Sequence, residues 1–141
     1  MLKIFDGDAL TDDLDKLDDG HLIDAFLTQI SESEEAMWEL SKWPGENANP
    51  FFNVKGIQTL QSQGYNIYRI RPLTSRLKKY RILYAYDAPH DDFYILAIVI
   101  KRPPVLPPEC LPNEFYNYEP NHPITVRVCD EYSTLNLPRI C

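Results

Sequence analysis

The first half of the chain has hydrophobic positions at the spacing of helices. Apolar residues recur every three or four positions between residues 21 and 30, which predicts an amphipathic helix. Ser31 and Ser33 stand where they can cap a second helix, and Pro44 and Gly45 are expected to end it. The two helices would form a hairpin with one apolar face, and its many acidic residues would lie on the solvated face.

Three later segments have the patterns of β-strands. Residues 65–71 and 80–86 are rich in aromatic and β-branched residues, and residues 93–100 are almost entirely apolar, as in a central strand covered on both faces. The turn at residues 87–92 predicts a hairpin between the second and third strands. Four prolines that cannot continue a ladder should end the third strand. They are Pro103, Pro104, Pro107 and Pro108.

The segments between these elements have weaker patterns. Residues 1–20 contain a short apolar stretch followed by Asp-rich turns. Residues 47–64 are expected to form a connection, and residues 72–79 a basic loop. Pro123 can open a last helix. The expected fold is therefore α+β: an N-terminal helical hairpin packed on a small antiparallel β-sheet, with a C-terminal helix. We expect a single domain, 1–141, with three parts. These are an acidic helical hairpin (1–46), a basic sheet core (47–104) and a C-terminal extension with the helix (105–141).

Composition favours a soluble, cytoplasmic protein. The 141 residues are 44% hydrophobic, which is enough for one packed core, but no apolar run approaches the roughly 18–20 residues of a membrane span. Acidic residues interrupt the N-terminal stretch, so we expect no secretion signal. The three cysteines are odd in number and lack the spacing of a disulfide framework or a zinc site. We therefore expect no metal, no cofactor and no membrane partner.

Charge is distributed unevenly along the chain. The net charge of −7 by itself argues against a nucleic-acid partner. Residues 1–46, however, carry 13 acids and 3 bases, residues 47–107 carry 9 bases and 3 acids, and residues 108–141 carry 5 acids and 2 bases. Such an asymmetry indicates a nucleic-acid site in one part of the chain. The alternative is that the charges simply cover solvated faces.

No common catalytic motif is present, but basic residues converge on the predicted sheet. Arg69 and Arg71 occupy alternate positions of one strand and share a face. The second strand adds Arg81, and the third ends on Lys101 and Arg102. RNA cleavage needs such groups, because the 2′-hydroxyl attacks the adjacent phosphate and negative charge grows on its oxygens. The alternative is a set of cross-strand charges on an open sheet face, held by the acids of the hairpin.

Residues 54–102 resemble the RelE/ParE superfamily of bacterial type II toxins. The resemblance rests on the order of four short motifs. These are Lys55-Gly56, Tyr68-Arg69-Ile70-Arg71, Tyr80-Arg81-Ile82-Leu83-Tyr84 and Ile100-Lys101-Arg102. It implies two N-terminal helices packed on an antiparallel sheet. RelE-like members cleave mRNA, usually on the ribosome, whereas ParE-like members poison gyrase with the same fold.

The resemblance also implies roles for individual residues. It makes four arginines the catalytic groups that hold the scissile phosphate, namely Arg69, Arg71, Arg81 and Arg102. The other basic residues expected to bind RNA are Lys55, Arg76, Lys78, Lys79 and Lys101. The family's catalytic tyrosine has no counterpart, because Pro107 and Pro108 occupy its region. Tyr116 and Tyr118 are nearby substitutes in the sequence.

Two functions follow from this pattern. The leading one is the toxin of a type II toxin-antitoxin system, a metal-independent endoribonuclease that cleaves mRNA, free or on the ribosome. Its other partner would be a cognate antitoxin, with which it could form an oligomer. The alternative is a non-catalytic binding protein of the same fold, such as a ParE-like gyrase inhibitor or an inactive superfamily member. The arginines favour the nuclease, and the missing tyrosine favours the alternative.

Overall fold

The structure, a computed structural model, describes residues 3–6, 10–41, 51–111 and 113–139. Its strands are β1 (Lys3–Asp6), β2 (Phe52–Gly56), β3 (Ile67–Pro72), β4 (Tyr80–Asp87) and β5 (Asp92–Ile100). Its helices are α1 (Leu10–Lys16), α2 (Gly20–Ser31), α3 (Glu34–Leu40), α4 (Gln58–Gln61) and α5 (Pro123–Thr134). A short 3-10 turn joins β4 to β5.

The five strands form one sheet in the order β1-β5-β4-β3-β2. β2, β3, β4 and β5 pair antiparallel with their neighbours, and β1 joins the outer edge of β5 in parallel. The chain is therefore α+β with a mainly antiparallel sheet, as the sequence predicts. In the described part of the chain, no helix has both the length and the apolar character of a membrane span.

Several predicted elements are confirmed. The three predicted strands correspond to β3, β4 and β5, and the apolar β5 lies between two other strands. The Ser33 hydroxyl caps α3 by accepting a hydrogen bond from the Ala36 amide at 3.2 Å, while the Ser31 hydroxyl donates to a carbonyl of its own helix. Pro123 is the first residue of α5. The predicted stop at Pro44 and Gly45 lies outside the described residues.

Two segments differ from the prediction. Residues 1–20 were expected to hold turns, but they contain β1 and α1, so the helical hairpin has a third helix. Residues 47–64 were expected to be a connection, but they contain β2 and α4. These elements are four to seven residues long, and a pattern of hydrophobic positions needs a longer window to become visible. Their stability depends on pairing with the sheet rather than on local preference.

The two faces of the sheet carry different layers, because alternate side chains of a strand point to opposite sides. On one face, α2 and α3 pack on an apolar cluster that includes Ile70 and Tyr84. On the other face, α5 packs Val128 and Tyr132 on a cluster that includes Leu83. The apolar cluster under α5 covers only part of its face. The remaining part of that face holds the basic residues of β3 and β4.

The outer edge of β5 is completed by separate segments of the chain. β1 pairs with residues 92–95. Further along, a carboxylate oxygen of Asp13 accepts a hydrogen bond from the Ile98 amide at 3.2 Å, and Arg127 donates to the Leu96 carbonyl at 2.9 Å. The end of the strand pairs with the returning C-terminal chain. Side chains of α1 and α5 thus satisfy backbone groups that a short edge strand leaves open.

Candidate functional site

A cleft on the α5 side of the sheet brings together five of the predicted basic residues. We call it the basic cleft. It has a volume of about 860 Å³. Its basic residues are Lys55, Arg69, Arg71, Arg81 and Lys101, and its other lining residues are Gly56, Ile57, Gln58, Thr59, Gln61, Asn117 and Tyr118. None of these described residues is an Asp or a Glu.

The register of the sheet explains why these residues meet. Lys55 of β2 lies directly opposite Arg69 of β3, and Arg71 lies two positions further along the same face, as the sequence predicts. β4 contributes Arg81 from the next strand. Lys101 directly follows β5. Four chain segments far apart in sequence therefore each place a cation on one small surface.

Two of the arginines are held in fixed positions. Nη1 of Arg81 donates hydrogen bonds to the carbonyl oxygens of Lys78 at 2.7 Å and Tyr80 at 2.8 Å. Nη1 of Arg69 donates to the backbone and side-chain oxygens of Asn53 at 3.2 and 3.1 Å. Arg81 is 8% exposed. Burial and then repulsion between neighbouring guanidinium groups lower the pKa of Arg69 and of Arg81, but an arginine remains charged at neutral pH.

Tyr118 reaches the cleft because the chain returns after β5. The Tyr116 amide donates to the Ile100 carbonyl at 2.9 Å, and the Arg102 amide donates to the Tyr116 carbonyl at 2.9 Å. The Tyr116 ring is buried away from the cleft, and its hydroxyl lies 2.6 Å from that of Thr125. Two residues later, Tyr118 adopts a left-handed backbone with φ of 62° and lines the cleft. Of the two substitute tyrosines, Tyr118 is therefore the one in the site.

Tyr118 lines the basic cleft together with Arg69 and Arg81. Both guanidinium groups interact electrostatically with the phenol. Burial raises the pKa of Tyr118, although the two guanidinium groups act in the opposite direction. The phenol is therefore protonated at neutral pH.

Lys101 completes the wall of the cleft beside Tyr118. Its ammonium group donates a hydrogen bond to the Asn117 side-chain oxygen and lies 4.9 Å from the centre of the Tyr118 ring. Burial and repulsion from Arg81 lower the pKa of Lys101, while Glu119 acts in the opposite direction. A lysine with a lowered pKa has a larger neutral fraction at a given pH than a free lysine.

Four predicted site residues lie elsewhere. Arg102 lines a separate cavity with Glu114 and Glu119. Consecutive residues of an extended chain point in opposite directions, and Lys101 is the one that lines the cleft. Arg76 and Lys79 lie near the Asp19 carboxylate, at 3.0 and 3.9 Å. None of these three residues lines the basic cleft, which corrects the expectation that Arg102 holds the phosphate together with the other three arginines. Contact of Arg76 and Lys79 with RNA stays a prediction.

Lys78 also lies outside the cleft. Its side chain is exposed, and its carbonyl oxygen accepts a hydrogen bond from Arg81. The turn that carries it is tied to the opposite face of the sheet. There the Tyr80 hydroxyl donates to Asp19 at 2.9 Å. Hydrogen bonds from Tyr80 and Arg76 lower the pKa of the Asp19 carboxyl. The acidic helices thus attract the basic turn, and within the described residues they lie across the sheet from the basic cleft.

Sequence reasoning missed the neutral residues of the cleft. Gln58, Thr59 and Gln61 belong to α4, which the sequence pattern indicates only as a connection, and Asn117 lies in the extension. Nothing in their residue types distinguishes them from surface residues. Their positions depend on the chain path, which places α4 beside the basic strands.

Comparison of the chain with protein-family models, with curated proteins and with solved structures finds no match. The interpretation of the cleft therefore depends on its own geometry and charge. Within the described ranges, no group of three or more His, Cys, Asp or Glu residues could hold a metal ion. The groups that the cleft offers for chemistry are guanidinium, ammonium, carboxamide, hydroxyl and phenol.

Proposed function

We propose that the basic cleft binds the phosphate backbone of RNA and cleaves it, as the resemblance to the RelE/ParE superfamily implies. The observation that carries the proposal is the convergence of five cations from four chain segments, with no carboxylate among the described lining residues. Such convergence is unfavourable unless an anion occupies the space between the charges. A phosphodiester supplies that anion, and arginines bind its oxygens in a bidentate manner.

The arginines are suited to stabilise the charge that develops during cleavage. The 2′-oxygen forms a bond to phosphorus, the bond from phosphorus to the 5′-oxygen breaks, and the products are a 2′,3′-cyclic phosphate and a 5′-hydroxyl. Arg69 and Arg81 line the same cleft from neighbouring strands. A phosphate bound in the cleft would therefore meet both guanidinium groups. Because both arginines are fixed by other hydrogen bonds, little reorganisation is needed in the transition state.

Lys101 and Tyr118 can move the two protons of the reaction. The 2′-hydroxyl must lose a proton, and the lowered pKa of Lys101 increases the neutral fraction that can accept it. The leaving 5′-oxygen must gain a proton, and the raised pKa of Tyr118 keeps its phenol protonated and able to donate. Proton exchange with water restores both groups.

The direct test uses purified protein and a single-stranded RNA in the presence of EDTA. We expect cleavage that leaves a 2′,3′-cyclic phosphate on one product and a 5′-hydroxyl on the other. Binding of RNA without any product, both on free RNA and on mRNA bound to ribosomes, would contradict the nuclease. Primer extension on cellular mRNA after induction then shows whether cleavage occurs in translated regions, as expected for a cytoplasmic toxin that acts on the ribosome.

The role of Lys101 predicts a particular dependence of the rate on pH. In the native protein, we expect the rate to rise about tenfold per pH unit between about pH 6 and 8, because the neutral fraction of lysine rises by that factor below its pKa. Lys101→Arg keeps the charge but removes the titration, since arginine does not deprotonate. The variant should lose about 100-fold or more in rate at pH 8 and have a flatter profile.

Lys55→Arg is the matched control for this experiment. Lys55 lines the same cleft, so the substitution tests the effect of replacing an ammonium by a guanidinium group. It should leave the slope of the pH profile unchanged. Equal profiles for the Lys101→Arg variant and the native protein would remove Lys101 from the chemistry.

One observation favours a second function, binding without cleavage. No histidine or carboxylate is among the described residues of the cleft, so proton transfer depends on groups that titrate far from neutral pH. The same cations would then bind an acidic partner, as in a gyrase inhibitor or an inactive superfamily member. In either case we propose a cognate antitoxin whose acidic segment covers the cleft. RNA binding without products, or no RNA binding at all, would favour this second function.

A further inference from the structure

The basic cleft has two chemically different walls. The strand wall is cationic and complements phosphate. The wall formed by α4 is neutral and presents Gln58, Thr59 and Gln61. A carboxamide has both donors and an acceptor, whereas a phosphodiester at neutral pH has acceptors alone. The acceptor of a glutamine is therefore of no use toward phosphate, but it matches the edge of a nucleobase, which has donors as well as acceptors.

Gln61 is the most closely positioned of the three α4 residues. It is partly buried, whereas Gln58 and Thr59 are exposed. Its carboxamide lies against Gly56, where a Cβ atom would come within 2.4 Å of Oε1 and 2.5 Å of Nε2. The backbone φ of Gly56 is not in the left-handed region. Glycine is therefore required here because it has no side chain, and not because of its backbone freedom. The absence of a Cβ leaves the space that the carboxamide occupies at the wall of the cleft.

Within the described residues, no hydrogen bond satisfies this carboxamide. The side-chain amide of Gln63, two residues after Gln61, instead donates to the Thr59 carbonyl at 3.0 Å. The Gln61 carboxamide is thus held beside the phosphate-binding residues with its donors and acceptor available to a ligand. The Tyr118 ring lines the same cleft and offers an aromatic face on which an unpaired base can stack.

We propose that Gln61 recognises an unpaired adenine base next to the phosphate that the arginines bind. A carboxamide pairs with adenine in a bidentate manner, accepting from N6 and donating to N7. The proposal rests on the proposed function, because it assumes that RNA enters the cleft. It adds that the cleft selects the base, and that the selecting residue is on α4 rather than on the basic strands.

The test compares RNA oligonucleotides that differ at one base and carry 2′-O-methyl groups, so that they bind without being cleaved. We expect the native protein to bind the best adenine-containing oligonucleotide roughly 5- to 150-fold more tightly than its uridine counterpart. Gln61→Ala should reduce this ratio to about 2 or less and leave the affinity for the uridine oligonucleotide unchanged. A residue with a purely structural role would lower both affinities together.

Two further variants sharpen the test. Gln63→Ala removes an exposed carboxamide outside the cleft and should keep the adenine preference. Gly56→Ala displaces the Gln61 carboxamide and should reduce the preference while the charge of the cleft is unchanged. A preference for another base, or an adenine preference that survives Gln61→Ala, would overturn the inference while leaving the RNA-binding proposal intact. A protein that binds none of the oligonucleotides would overturn both.

Discussion

Replacing Arg81 by lysine is expected to lower the rate of RNA cleavage by about 100-fold, the usual effect of losing one fixed transition-state donor. The native guanidinium uses Nη1 to bind two backbone carbonyls, and its other nitrogens remain available to a phosphate in the cleft. A lysine has a single nitrogen, so it can satisfy the carbonyls or reach the substrate, but not both. Single-turnover cleavage of a labelled RNA measures the effect.

Lysine is preferable to alanine at this position because Arg81 is buried. Alanine would leave the carbonyls of Lys78 and Tyr80 without the donor that Arg81 supplies. A loss of activity could then come from a folding defect as well as from a catalytic one. Arg102→Lys is the matched control, since Arg102 lies in the neighbouring cavity. It should retain nearly full activity. The sequence resemblance alone predicts similar losses for both variants, so equal losses would favour that assignment over the geometry of the cleft.

The strands that carry the site could be predicted because their patterns are local. Alternation in β3 places Arg69 and Arg71 on one face, and the apolar run of β5 identifies a strand with neighbours on both sides. The arginine part of the basic surface therefore follows from sequence periodicity together with the antiparallel order of the strands. Lys55 joins it because β2, which the sequence pattern does not predict, pairs in register with β3.

The rest of the site depends on the path of the chain in three dimensions. Tyr118 enters the cleft because the returning chain pairs with the end of β5 and then takes a left-handed turn, and neither step has a sequence signature here. Asparagine or glycine would be the usual signal for such a backbone, and tyrosine is not. The family resemblance assigns Arg102 to the site, but one residue along an extended chain reverses the direction of the side chain, and Lys101 lines the cleft instead.

A stabilising interaction at the edge of β5 could not be predicted from the sequence. Asp13 and Arg127 are 114 residues apart and form two hydrogen bonds at 2.9 and 2.7 Å. The pair lies where neither β1 nor the returning chain covers the strand, and it binds the Ile98 amide and the Leu96 carbonyl. It connects α1 to α5 across the edge of the sheet. The pair therefore holds together two layers that are on opposite sides of the basic strands.

Asp13→Ala is expected to lower the free energy of unfolding by roughly 3 kcal/mol, because it removes both hydrogen bonds that Arg127 donates to Asp13 and leaves the buried Ile98 amide without its acceptor. Urea denaturation measures this change. Asp15→Ala removes a carboxylate from an exposed position of the same helix and should change stability by less than about 0.5 kcal/mol. Asp13→Asn should lie between the two, because its amide oxygen can still accept from the Ile98 amide while the negative charge beside Arg127 is lost. Equal stabilities for the Asp13→Ala and Asp15→Ala variants would mean that the edge of β5 is satisfied by solvent instead.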